Sequence, residues 1–133
     1  MERTRSAAND DVGIFFLDGL ADHSIALLKY GGDVSIEQYN FAGIGATGNG
    51  AKGNSFENVQ TGIRAQVQHL KAYASTEDLV HNVVDPRFQY VTRGICPYVE
   101  WLGINENPQH VGWATAVGYG NNIVERISTL KSF

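Results

Sequence analysis

A second cysteine is missing from the chain: among its 133 residues only Cys96 carries a thiol, so no disulfide can form within it. That fits a reducing compartment and is equally compatible with an exported bacterial protein. Basic residues are few, 10 Lys and Arg against 14 Asp and Glu, for a formal net charge of -4. A nucleic-acid partner needs a basic stripe, and none is present, so none is expected. No apolar run is long enough to span a bilayer. The start, "MERTRSAANDDVG", lacks the apolar stretch of a signal peptide, so no export signal is expected and localisation stays open. His23, His69, His81 and His110 show no metal-binding spacing such as H-E-x-x-H, so no metal site is expected. Cys96 has no identifiable base and reads as buried or neutral.

Hydrophobic residues make up 43% and charged residues 18%, the balance of a globular domain rather than a disordered chain. The length suits one domain, residues 1–133, expected to be a monomer. Residues 1–11 are polar and expected to fray. "GIFFLDGLADHSIALLK" (13–29) reads as a helix, with Gly31 in its C-cap region. Residues 39–59 read as a glycine-rich loop or irregular hairpin. Thr61 looks like an N-cap, followed by a helix over 62–74 with Ile63, Val67, Leu70 and Ala74 at helical spacing. "DPRFQYVTRG" (85–94) reads as an ordered loop. Pro97 could open a short helix that Gly103 stops. Asn121 or Asn122 could lead a last helix with Ile123, Ile127 and Leu130 on one face.

The glycine-rich stretch "YNFAGIGATGNGAKGNSF" (39–56) matches G-x-G-x-x-G twice, at Gly43, Gly45, Gly48 and at Gly48, Gly50, Gly53. A dinucleotide fingerprint works only between a buried strand and a helix N-terminus. Here "SIEQYN" precedes it, and the next helix starts well after Gly53. Lys52 comes before Gly53, so the Walker order is also absent. These glycines therefore serve a backbone shape, not a phosphate.

The segment "GGDVSIEQYNFAGIGATGNGAKGNSFENVQTGIRAQVQHLKAYAS" (31–75) resembles the glucosaminidase domain family, in particular the bacterial and phage endo-β-N-acetylglucosaminidases that cut peptidoglycan. The resemblance continues through "VDPRFQYVTRG" (84–94), "PYVEWLG" (97–103), "GWAT" (112–115) and "YGNNI" (119–123), from about residue 29 onward; residues 1–28 diverge. It implies a lysozyme-like α+β fold, mainly α-helical, with a small glycine-rich β-hairpin lobe as one wall of a glycan cleft. It implies peptidoglycan glycan strands as partner, action at the extracellular cell wall, and no metal or diffusible cofactor.

Glycosidic cleavage needs a carboxylic acid to protonate the leaving oxygen and a second group to stabilise or attack the oxocarbenium-like centre. The family's acid sits in a pattern like "ETGWxxFGG"; aligned on "LKYGG" (28–32), it falls on Ser24. Serine cannot donate a proton at working pH, and no glutamate lies between Glu2 and Glu37. Glu57 in "SFENV" is the best-matched second carboxylate, and Tyr119 stands where the family places a tyrosine near the reacting sugar. Ala116, Val117 and Gly118 replace the aspartate, proline and asparagine expected just before it. Tyr39, Asn40, Phe41, Gly43 and Trp101 are the implied substrate-binding residues.

Trp101 and Trp113 could stack on sugar faces, and Glu100 and Glu106, near aromatics, could sit close to the cleft; the plainer readings are Glu57 as a solvated turn residue, Tyr119 as helix packing, Trp101 and Trp113 as core, and Glu100 and Glu106 as surface charge. Three functional readings follow. The chain is a peptidoglycan hydrolase, impaired at Ser24; or a catalytically inactive relative that binds cell-wall glycan or has a structural role; or a damaged or truncated gene product.

Overall fold

The computed structural model describes residues 34–132. The helix expected over 13–29, with Ser24, lies outside them. The described chain is mainly helical. Helix α1 spans Val59–Ala74 and helix α2 spans Tyr119–Lys131, with short 3-10 turns at Ile36–Gln38, Phe88–Tyr90 and Val99–Leu102. No β-strand occurs among the described residues; Gly103 and Ala114 form an isolated parallel bridge.

Helix α1 starts earlier than expected. Asn58, not Thr61, is the N-cap: its side chain accepts the Thr61 N–H at 2.8 Å. Asparagine competes well for this role because its carbonyl reaches an otherwise unpaired N–H of the first turn. The buried face also differs. Of the expected stripe only Leu70 is buried, alongside Gly62, Ala65, Gln66, Gln68, His69 and Ala72. Small residues let other segments approach the helix backbone. A Cβ on Gly62 would overlap the carbonyl oxygen of Tyr39. At the far end the chain returns against the helix, with Gly94 N–H to Ala72 O at 3.0 Å and Cys96 N–H to Tyr73 O at 2.8 Å. The polar side chains buried between them therefore need internal partners.

The short helix opened by Pro97 is a 3-10 turn, Val99–Leu102, and Gly103 ends it. The last helix begins at Tyr119, ahead of both asparagines. Ile123 and Ile127 are buried as expected; the Leu130 side chain lies outside the described set.

Two apolar clusters result. Leu70, Cys96, Val99, Leu102, Ile123 and Ile127 form the larger one. Ala42, Ile44 and Ala65 form the smaller one, under the glycine-rich segment. Trp113 packs against both and joins them.

Residues 39–58 form a turn-rich loop, in keeping with the loop or irregular hairpin read from the glycines; no strand of the implied β-hairpin lobe occurs among them. Gly43, Gly45, Gly48, Gly50 and Gly53 all have positive φ, as does Asn49, and such residues interrupt extended backbone. Two hairpin-like bonds remain, Asn54 N–H to Ile44 O and Phe56 N–H to Gln38 O, both 2.8 Å.

Candidate functional site

The glycine-rich loop is held by two amide side chains. Asn40 is buried; its Nδ2 donates to Ile44 O at 2.8 Å and Asn54 O at 2.9 Å, and its Oδ1 accepts the Ile44 N–H at 2.9 Å. Gln38 Nε2 reaches the carbonyls of Lys52, Gly53 and Asn54 at 2.8, 3.4 and 3.3 Å. These carbonyls lie on a backbone too irregular to pair with itself, so side-chain amides satisfy them. Asn40 is thus a fastener of the loop. Tyr39 is half-buried with φ 50, and Phe41 is half-buried against the Gly62 side of α1. Gly43, at φ 64, closes the turn whose carbonyl receives the Ala46 N–H at 2.9 Å.

Glu57 follows this lobe and is exposed. The Asn58 Nδ2 lies 3.4 Å from its Oε1, a long bond that leaves the carboxylate open to water.

Trp101 and Tyr119 belong to the other half. Both are half-buried and pack on the larger cluster. Trp101 also stacks edge-on with Tyr98 at a centroid separation of 4.8 Å. The structure therefore brings Tyr39, Asn40, Phe41, Gly43 and Glu57 into one lobe, and Trp101 with Tyr119 into another. Helix α1 and Trp113 connect the two. Ser24 lies outside the described residues.

Sequence reasoning missed a buried histidine–carboxylate contact. His69 Nδ1 lies 2.6 Å from Asp85 Oδ2, joining α1 to the loop before Pro86. Trp113 and Tyr73 meet the imidazole edge-on, at 4.6 and 5.4 Å between centroids. Asp85 Oδ1 accepts the Arg87 N–H at 2.9 Å, and Gln68 Oε1 accepts the N–H groups of Val84 and Asp85 at 2.8 and 3.2 Å. Beside it lies a cavity of about 270 Å³ lined by Val83, Val84, Asp85, Pro86, Phe88 and Gln89. The Asp-Pro step announced a turn, but nothing in the sequence announced a partner sixteen residues back.

Burial pushes the Cys96 thiol up to about 11, against a smaller opposing effect of the Asn107 amide. Burial also raises the Tyr73 phenol, with the neighbouring Cys96 adding to it. Neither group is set up as a nucleophile or base near neutral pH. Among the described residues, no three His, Cys, Asp or Glu side chains gather as a metal set, and no helix is long and apolar enough to cross a membrane.

The chain is similar to an uncharacterized protein of Borreliella burgdorferi, 57% identical over 72 residues. That match covers 54% of this chain and 35% of the other, so the chain spans about a third of its curated relative. No protein-family model matches the chain, and no solved structure does.

Proposed function

We propose that the chain is a peptidoglycan-directed domain of the endo-β-N-acetylglucosaminidase type, lysozyme-like in fold, with hydrolysis weakened by Ser24. The observation that carries this is the loop lobe. The block that resembles the glucosaminidases most, 39–58, is a glycine-rich lobe closed on itself by a buried Asn40, which bonds Ile44 and Asn54. Such a lobe offers peptide groups and half-buried aromatic rings to a sugar face, the usual means of holding a neutral glycan.

The roles divide by environment. Glu57 stands exposed at the end of the lobe, where a water or a sugar can reach its carboxylate. It supplies the negative charge that stabilises the oxocarbenium-like centre or orients a water. Tyr119 contributes a phenol at the start of α2, and Trp101 with Tyr98 gives a stacking surface. No residue at the aligned acid position can protonate the leaving oxygen, since position 24 is serine. Loss of a general acid lowers rates by about 10²–10⁴-fold.

A zymogram on peptidoglycan, paired with retention on insoluble peptidoglycan, tests the reading. Weak clearing that strengthens in Ser24→Glu is expected, with both proteins retained. A folded protein that neither clears nor is retained would overturn it. Retention without clearing, in Ser24→Glu as well, would establish the second reading, a glycan-binding relative without catalysis; the serine at position 24 is what favours that alternative.

A further inference from the structure

Glu106 reads as ordinary surface charge in the sequence, and its position in the fold is anything but that. It sits in the tight turn after Gly103, where the Glu106 and Asn107 N–H groups both reach Gly103 O, at 3.1 and 3.0 Å. From this turn the chain is laced to residues 113–118 in successive rungs. Trp113 N–H donates to Leu102 O at 2.7 Å, and Ile104 N–H to Ala114 O at 2.9 Å. Asn105 Nδ2 donates to Thr115 O at 2.7 Å. The last rung is Glu106 itself, whose Oε1 accepts the Gly118 N–H at 2.6 Å.

That distance marks a short, charge-assisted bond. Its placement matters more than its strength. Gly118 has φ +74 and precedes Tyr119, and its carbonyl receives the Asn122 N–H at 2.9 Å, the first bond of α2. The carboxylate therefore fixes the left-handed residue from which the helix departs, and its charge lies at the positive end of the helix. The other oxygen, Oε2, is buried without a hydrogen-bond partner. It packs so closely on Gly103 that a Cβ there would overlap it.

We infer that Glu106 is the positioning residue for Tyr119: its carboxylate locks the Gly118 backbone and so sets where the phenol enters the site. The inference rests on the role given to Tyr119 above. Within the segment itself, Tyr119 is held by its N–H donating to Ala116 O at 3.3 Å; the Ala116 and Val117 side chains are exposed and Gly118 has none. The turn bearing Glu106 adds a second hold from across the fold.

The test uses the full chain with ¹³C-labelled tyrosine, the Tyr119 signal being identified by its loss in Tyr119→Phe. Glu106→Ala is expected to shift or broaden that signal while the signal of exposed Tyr90 stays in place. Glu106→Gln keeps an acceptor for the Gly118 N–H and is expected to preserve the Tyr119 signal. In the Ser24→Glu background, Glu106→Ala is expected to lower kcat about tenfold or more with KM held, and to add nothing to Tyr119→Phe. An unmoved Tyr119 signal in folded Glu106→Ala would overturn the inference. Should Glu106→Ala unfold, a displaced Tyr119 signal in folded Glu106→Gln would overturn it instead. A displaced signal in Glu106→Ala with no clearing by any variant would uphold the positioning and overturn the hydrolase reading.

Discussion

His69 and Asp85 are locked together in the interior, 2.6 Å apart, with the Asp85 side chain fully covered and that of His69 11% exposed. The pair ties the middle of α1 to the start of the 85–90 turn. It also seats Trp113, which touches the imidazole edge and joins the two apolar clusters. The contact thus ties helix α1 to the 85–90 turn beside the tryptophan that joins the two clusters.

Asp85→Ala removes the partner of a buried imidazole and the acceptor for the Arg87 N–H. Leaving a buried polar group without its partner is expected to destabilise by about 1–3 kcal/mol. Asp85→Asn keeps an acceptor for Arg87 and is expected to lose less. Urea unfolding followed by tryptophan fluorescence reads both. Equal midpoints for Asp85→Ala and the parent would show that the pair contributes nothing.

Gly62→Ala gives a second, sharper test of packing. Alanine favours helices over glycine by about 1 kcal/mol, so on an open face the change would stabilise. Here the new methyl would overlap the Tyr39 carbonyl oxygen and crowd the Phe41 ring. Overpacking against backbone is expected to dominate, for a net loss of about 1–3 kcal/mol. A rise in the melting temperature of Gly62→Ala would contradict that close approach.

Legibility in the sequence followed the range of the interaction. Helix α1 showed itself through apolar spacing, and Gly103 stopped its 3-10 turn as expected, because both are local effects. The N-cap is Asn58 rather than the expected Thr61, because the Asn58 side chain accepts the Thr61 N–H and so starts the helix one turn earlier. The buried face of α1 was misjudged for a different reason. Burial of Gln66, Gln68 and His69 depends on what packs over them, and those segments arrive from residues 82–85 and 94–96. The loop over 39–59 was legible from its glycines and Glu57 was singled out through the family resemblance, whereas the hydrogen bonds of Asn40 and Glu106 span 14 and 12 residues and leave no local pattern.

Cys96 provides a pH prediction with a definite sign. Its folded-state value is raised to about 11 from 9.0, chiefly by burial. Below pH 9 the thiol is protonated in both states and stability does not depend on it. Above pH 9 the unfolded chain loses the proton first, so stability falls as pH rises toward 11. The raised phenol of Tyr73 acts in the same direction. Cys96→Ala is expected to flatten part of this decline in urea midpoints measured between pH 8 and 11. In the native protein at pH 8, a thiol-specific reagent is expected to react far more slowly than in urea. Immediate labelling of the folded chain would mean that Cys96 is not enclosed.

Asn40 decides whether the glycine-rich lobe is built or merely tolerated. In Asn40→Ala the Ile44 N–H loses its acceptor and the Asn54 carbonyl loses a donor. The Ile44 carbonyl keeps the Asn54 N–H at 2.8 Å, so it is not stranded. One stranded donor and one weakened acceptor amount to about 2–3 kcal/mol. Asn40→Asp retains the acceptor for Ile44 N–H but turns a carboxylate oxygen toward the carbonyls of Ile44 and Asn54, where Nδ2 now donates. Like partial charges replace two hydrogen bonds in a buried place, so aspartate is expected to be worse than alanine despite its closer shape. Hydrogen exchange at the Ile44 amide should speed up in the alanine variant before the protection of α1 changes, because the lobe is fastened separately from the helix. If aspartate proves the milder substitution, the clamp does not work through the two amide donors.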